Sequence, residues 1–224
     1  MDMHNDSGQY LQLIEKQKLT LQRAKARQGE RPRDREARVD AYFEFMLALN
    51  IRSIQGQDAK HMIHSSFIPP AYPPCITPME KLRSIAIEDL QLETHHRVMY
   101  LSLRSITPPN RMTAISALME DEKGDAVSLQ LYKQEGDDLR EAAEIVNVST
   151  ILLVKEPYFK VLGDGRYGVR VDHLSDVLNI QEDDTRISAK WQPRLVEIGF
   201  TAESLKLEGN AAIAKKSYRD AIAK

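Results

Sequence analysis

A single cysteine, Cys75, excludes an internal disulfide and any cysteine-based metal cluster. It lies among prolines, with no histidine beside it to lower its pKa, and reads as an inert thiol. No stretch approaches the run of about 18 apolar residues needed to cross a bilayer, so no membrane partner is expected. The first residues, Met1-Asp2-Met3-His4-Asn5-Asp6, lack the basic-then-apolar order of a secretory signal. Charge of one sign is missing as well: 31 lysines and arginines face 33 acidic residues, a net of -2. That balance argues neither for nor against nucleic acid. Gly-x-Ser-x-Gly, His-Glu-x-x-His and Gly-Lys-Ser/Thr are all absent. These absences predict a cytoplasmic or nuclear protein, no cofactor, no metal and no catalytic set.

What is present begins with two helical stretches. Residues 9–26 carry Tyr10, Leu13 and Ile14 on one side, and Gly29 and Pro32 stop the pattern. Residues 35–49 place Val39, Tyr42, Phe43 and Met46 at i, i+3, i+4 and i+7, an amphipathic stripe. From Lys16 to Arg38 nine basic residues meet three acidic ones, either a phosphate-binding arm or, more ordinarily, a solvated helix face. Residues 68–78 hold five prolines and predict an extended connector. Thr77-Pro78-Met79-Glu80 then has the form of a capping box opening a short helix.

From about His95 the period changes to two. Met99, Leu101 and Leu103 alternate with polar neighbours, and so do Thr113, Ile115, Ala117 and Met119, then Val127, Leu129 and Leu131. Residues 137–145 are helical in pattern, 150–154 form a continuous apolar run, and Tyr167, Val169 and Val171 alternate after the turn Gly163-Asp164-Gly165. Strand, strand, strand, helix, strand, strand is the order of an OB-fold, and an α+β sandwich fits the same string. The predicted fold is α+β: a five-stranded OB-like β-barrel with N-terminal helices and, where Ala202–Ile222 resemble part of a tetratricopeptide (TPR) repeat, a C-terminal partial TPR hairpin. The predicted divisions are 1–60 helical, 61–92 linker and short helix, 93–181 barrel, and 182–224 linker and partial repeat.

Few residues suggest chemistry. His95 and His96 are adjacent, so a strand points them to opposite faces, away from a shared metal. Basic and aromatic residues interleave between Lys155 and Arg170, and Lys155, Lys160, Arg166 and Arg170 are the candidates for a nucleic-acid groove. Such binding is expected to be weak and salt-dependent.

Two stretches resemble known families. Ala202-x-x-Leu205-Lys206-x-Glu208-Gly209-Asn210, followed by Tyr218-x-x-Ala221-Ile222, is similar to the first TPR of chaperone-binding domains, with Ala212 departing from the usual aromatic. Residues 154–177 resemble a segment of fungal proteins that combine TPR repeats with a SET domain, a resemblance spanning about 35–224. It implies an intracellular protein of the protein-lysine methyltransferase type, cut inside its first repeat. It also implies a protein partner: in chaperone-binding TPR domains, a lysine and an asparagine at the places of Lys206 and Asn210 hold the carboxylate of a chaperone tail. The SET signatures themselves do not occur here. The expected role is therefore a non-catalytic interaction module of a TPR–SET protein, not itself an enzyme. The alternatives are an OB-fold nucleic-acid binder and an accessory region of a protein-lysine methyltransferase.

Overall fold

The computed structural model describes residues 3–55, 70–134, 139–181, 184, 186–188 and 190–191. The chain divides into two compact units, Met1–Trp191 and Gln192–Lys224, and the second lies outside the described residues. The partial TPR repeat, with Lys206 and Asn210, falls there.

Two helices lead the first unit, α1 (Met3–Ala26) and α2 (Arg38–Gln55). Ten strands follow: β1 (Arg83–Ile85), β2 (Thr94–His95), β3 (Met99–Ser105), β4 (Asn110–Arg111), β5 (Ile115–Glu120), β6 (Ala126–Leu131), β7 (Ile151–Lys155), β8 (Tyr158–Val161), β9 (Tyr167–Val171) and β10 (Val177–Ile180). One helical turn, α3 (Ala142–Ile145), stands between β6 and β7. The strands make one mixed sheet in the order β10-β7-β3-β5-β6-β9-β8-β2, with β1 on β3 and β4 on β5.

This corrects the predicted five-stranded OB-like barrel. The described residues form a ten-stranded sheet with three helices, not a barrel with a TPR hairpin. β3, β5, β6 and β9 coincide with the stretches whose alternation is legible, and β7 with the continuous apolar run. The others have two to four residues, too few to show a period. The chain also bends at Glu156-Pro157, so β7 pairs with β3 while β8 pairs with β9. Glu156 takes a positive φ of 46° there, and its carboxylate accepts from the Val98 amide at 3.1 Å and the Thr77 hydroxyl at 3.2 Å. That last bond displaces the expected capping box. Met79–Lys81 is a single 3-10 turn with no side-chain cap.

Alternation explains the core. Leu101, Leu103, Leu129, Phe159 and Val169 point to one side and are almost wholly buried, each contributing about 1.5–3 kcal/mol. The continuous run in β7 is apolar because both its faces are covered. Leu152 and Val154 join that core, while Ile151 and Leu153 pack with Ile180, Ile187 and Trp191 on the other side.

The N-terminal arm is tied to the sheet by charge and backbone. Gly29, at φ +82°, donates to the Leu92 carbonyl at 2.9 Å, and the Leu92 amide returns a bond to Glu30. Arg38 donates to buried Glu120 at 2.8 Å, and Arg104 reaches the same carboxylate. Arg27 bonds Tyr167, and Arg31 pairs with Asp89. Much of the basic run is thus turned inward, onto this unit's own acids and carbonyls.

Candidate functional site

The hairpin β8–β9 turns at Gly163–Gly165, with Gly165 at φ +90°. Its register sets Tyr158 opposite Arg170 and Lys160 opposite Gly168. Lys160 and Arg170 are therefore diagonal neighbours on one face, the face turned away from the core. Arg170 in turn stands opposite Gln130 on β6, and Gln130 opposite Ser116 on β5. This gives the sheet a polar row, and α1 lies over it.

Between α1 and that row is a cavity of about 250 Å³, lined by Lys160, Arg170, Tyr132, Gln130, Leu21 and Leu162 among others. Leu162 folds back over Gly168. A Cβ at that glycine would sit 2.6 Å from Leu162 Cδ1, so the wall requires a residue without one. Arg170 is 3% exposed and fully engaged. Its Nε donates to buried Asp172 at 2.7 Å, and its guanidinium lies 4.9 Å from the centre of the Tyr132 ring. The Tyr132 hydroxyl donates to Gln130 Oε1 at 3.1 Å.

Lys160 is different. It is 7% exposed, and its ammonium has no hydrogen-bond or ion-pair partner among the described residues. Burial pushes its pKa below the ordinary lysine range, against an upward pull from Glu93, and Arg170 adds a downward push. Glu93 itself accepts from the Tyr158 hydroxyl at 2.8 Å and the Val161 amide at 3.0 Å.

A second cavity, of about 260 Å³, lies where the arm before α2 meets β6 and the β8–β9 turn. Arg35 crosses it with its guanidinium 5.2 Å from the centre of the Phe159 ring, donating to the carbonyls of Ile87 and, at 3.0 Å, Leu90. Its Nε is buried without a partner, and burial pushes its pKa down.

Of the four candidates for a nucleic-acid groove, the structure brings together only Lys160 and Arg170. Lys155 is on β7 opposite Tyr100, and Arg166 pairs with Asp164 at 2.8 Å and Glu44 at 3.4 Å beside the second cavity. Interleaved basic residues in the sequence are not one surface. The proline-rich stretch is also less simple than a connector. From Tyr72 to Cys75 its backbone is docked on two buried carboxylates, Asp172 and Asp176, with Cys75 N–H to Asp176 Oδ1 at 2.9 Å. Tyr72 packs edge-on to His95 at 4.3 Å, and His95 stacks on Tyr158 at 4.5 Å. His96 goes elsewhere: its Nε2 accepts from the Gln91 amide, so its Nδ1–H donates to the Pro157 carbonyl at 3.0 Å. Among the described residues, no group of three or more His, Cys, Asp and Glu side chains is placed to hold a metal, and no helix is long and apolar enough to cross a membrane.

Comparison with known proteins gives a firmer direction. No protein-family model matches the chain. A Gibberella zeae protein named "Methyltransferase" is 40% identical over 175 residues. The match takes in 78% of this chain and 24% of that relative, so the chain spans about a quarter of its length. This similarity corrects the expectation of a non-catalytic, non-enzymatic interaction module. A protein bearing the name of an enzyme aligns with 78% of this chain. The similarity is to a methyltransferase of fungal origin, and it names neither TPR repeats, nor a SET domain, nor an OB-fold.

Proposed function

We propose that this chain is an accessory β region of a methyltransferase. The observation that carries the reading is the 40% identity to a protein of that name, over a stretch that leaves most of the relative for other parts of the enzyme. The finer reading is a protein-lysine methyltransferase with TPR repeats and a SET domain, working in the cytoplasm or nucleus. It rests on the resemblance of residues 154–177 and 202–222. The first of these stretches contributes β8 and β9 and the wall of the Lys160 cavity. On this reading Lys206 and Asn210, four residues apart, donate to the carboxylate of a chaperone tail, with later repeats supplying the rest of the clamp.

Methyl transfer provides the test. The Gibberella zeae relative, expressed whole, is expected to move labelled methyl groups from S-adenosylmethionine to protein. Deleting the matched stretch should remove most of that activity, and the sequence of this chain put in its place should restore it. Full activity after the deletion would end the accessory role. No transfer by the whole protein would end the methyltransferase reading.

A further inference from the structure

We propose that the cavity under α1 binds a small organic monocarboxylate, with the Lys160 ammonium as its counter-charge. The inference stands apart from the methyltransferase reading, because it rests on geometry alone. A buried charge without a partner is among the costliest arrangements in a protein interior. Lys160 comes close to it: the residue is buried, and its ammonium, with no bonding partner among the described residues, opens onto an unfilled space rather than onto packed side chains. Of the other charges lining that space, Arg170 is matched by Asp172 and Asp164 by Arg166. Glu93, outside the lining, is bonded to the Tyr158 hydroxyl and the Val161 amide and acts on Lys160 only from beyond hydrogen-bond reach. One positive charge is therefore left for a ligand to answer.

The same count selects the ligand. A monoanion neutralises Lys160, whereas a phosphate dianion would leave a second negative charge beside Asp164 and Asp172. Gln130 accepts from Tyr132 through its oxygen, so its amide nitrogen is left as a further donor on the cavity wall. Leu21, Met112, Ala114 and Leu162 supply an apolar side for a short hydrocarbon body. At the ~30 Å³ that one water occupies in the liquid, about eight non-hydrogen atoms fit. Hexanoate has that size, one negative charge and an apolar tail.

Calorimetric titration of the full chain with hexanoate, its neutral counterpart hexanamide, and inorganic phosphate tests this. Hexanoate should bind saturably, and hexanamide and phosphate about tenfold or more weakly, the scale of one charge-assisted hydrogen bond. Lys160→Met should lose hexanoate binding to the same degree. Should that variant fail to fold, Leu21→Trp, which fills the cavity from α1 and keeps the charge, should abolish binding instead. Equal binding of hexanoate and hexanamide would reduce the site to an apolar hole. Preference for phosphate, unaltered hexanoate binding in either variant, or no binding of hexanoate would each overturn the proposal.

Discussion

Two cavities of nearly equal volume each hold a basic side chain against apolar surface, and they treat it in opposite ways. In the first, Arg35 donates to two backbone carbonyls and lies over the Phe159 ring. In the second, Lys160 lines the space with no bonding partner among the described residues. The guanidinium spreads its charge over a plane and reaches several acceptors at once, whereas the ammonium is a compact charge that needs water or an anion. The first cation belongs to the fold. The second waits for something from outside.

The apolar wall of the Arg35 cavity sets the largest expected effect. Phe45, 7% exposed, packs with Ala41 and Leu118 and lines the space. Phe45→Ala should cost about 4 kcal/mol in urea unfolding. Phe43, two residues away on α2 and 66% exposed, should change stability by less than about 0.5 kcal/mol when cut to alanine. Equal losses at the two positions would mean that the buried face of α2 is wrongly assigned.

Arg35→Leu comes next. It removes the side-chain donor from the carbonyls of Leu90 and of Ile87, which keeps only the Leu90 amide, in a part-buried site, and should cost about 2 kcal/mol. Because an arginine stays charged at every ordinary pH, this loss should be the same from mildly acid to alkaline solution. A loss that changes with pH would remove Arg35 from the role of fixed structural cation.

A third buried base sharpens the contrast. His96 is held neutral, bonded at both ring nitrogens, and burial pushes its pKa below the ordinary 6.5. His95 is pushed the same way by burial and by Arg97. A lowered folded-state pKa means that the unfolded chain takes up the proton first as pH falls. Stability is therefore fully present above about pH 6.5 and lost below it, by up to about 1.4 kcal/mol per pH unit for each histidine. His96→Gln should remove about half of that slope, read from unfolding free energies between about pH 5 and 8. An unchanged slope would place the titration in other groups.

How much of this was legible follows from the same residues. The strands that alternate over five or more residues were readable, because one face is core and the other polar. β8 and β10 have four residues each and gave no period, and the bend at Glu156-Pro157 left no pattern at all. On α2 the stripe of Val39, Tyr42 and Phe43 read as the buried face, yet all three are exposed and Ala41 and Phe45 are covered. That helix is apolar around much of its surface, so periodicity alone chose the wrong side. For the Lys160 cavity a usable signal existed. A hairpin turning at Gly163–Gly165 puts residues 158, 160, 168 and 170 on one face, which separates Lys160 and Arg170 from Lys155. Arg166 has the same parity and is drawn away instead by Asp164 and Glu44. Nothing in the spacing showed that α1 would cover that face, because packing between distant segments leaves no local period.

The smallest expected effect is the one that separates the two cations most sharply. Lys160→Met keeps most of the side-chain volume and removes an unpaired buried charge, so without ligand it should raise stability by about 1 kcal/mol at neutral pH. The sign is opposite to that at Arg35. It should also fade as the solution becomes alkaline. The folded-state pKa of Lys160 lies below the ordinary 10.5, so above the lowered value the native amine is neutral while the unfolded one still binds a proton. The wild-type chain therefore gains on the mutant as pH rises through that window, and the two should converge above about pH 10.5. Unfolding free energies of both proteins from neutral to strongly alkaline pH provide the measurement. A mutant less stable than wild type at neutral pH would show that Lys160 is already satisfied in the fold, as Arg35 is. The cavity would then hold no free charge for a carboxylate to meet.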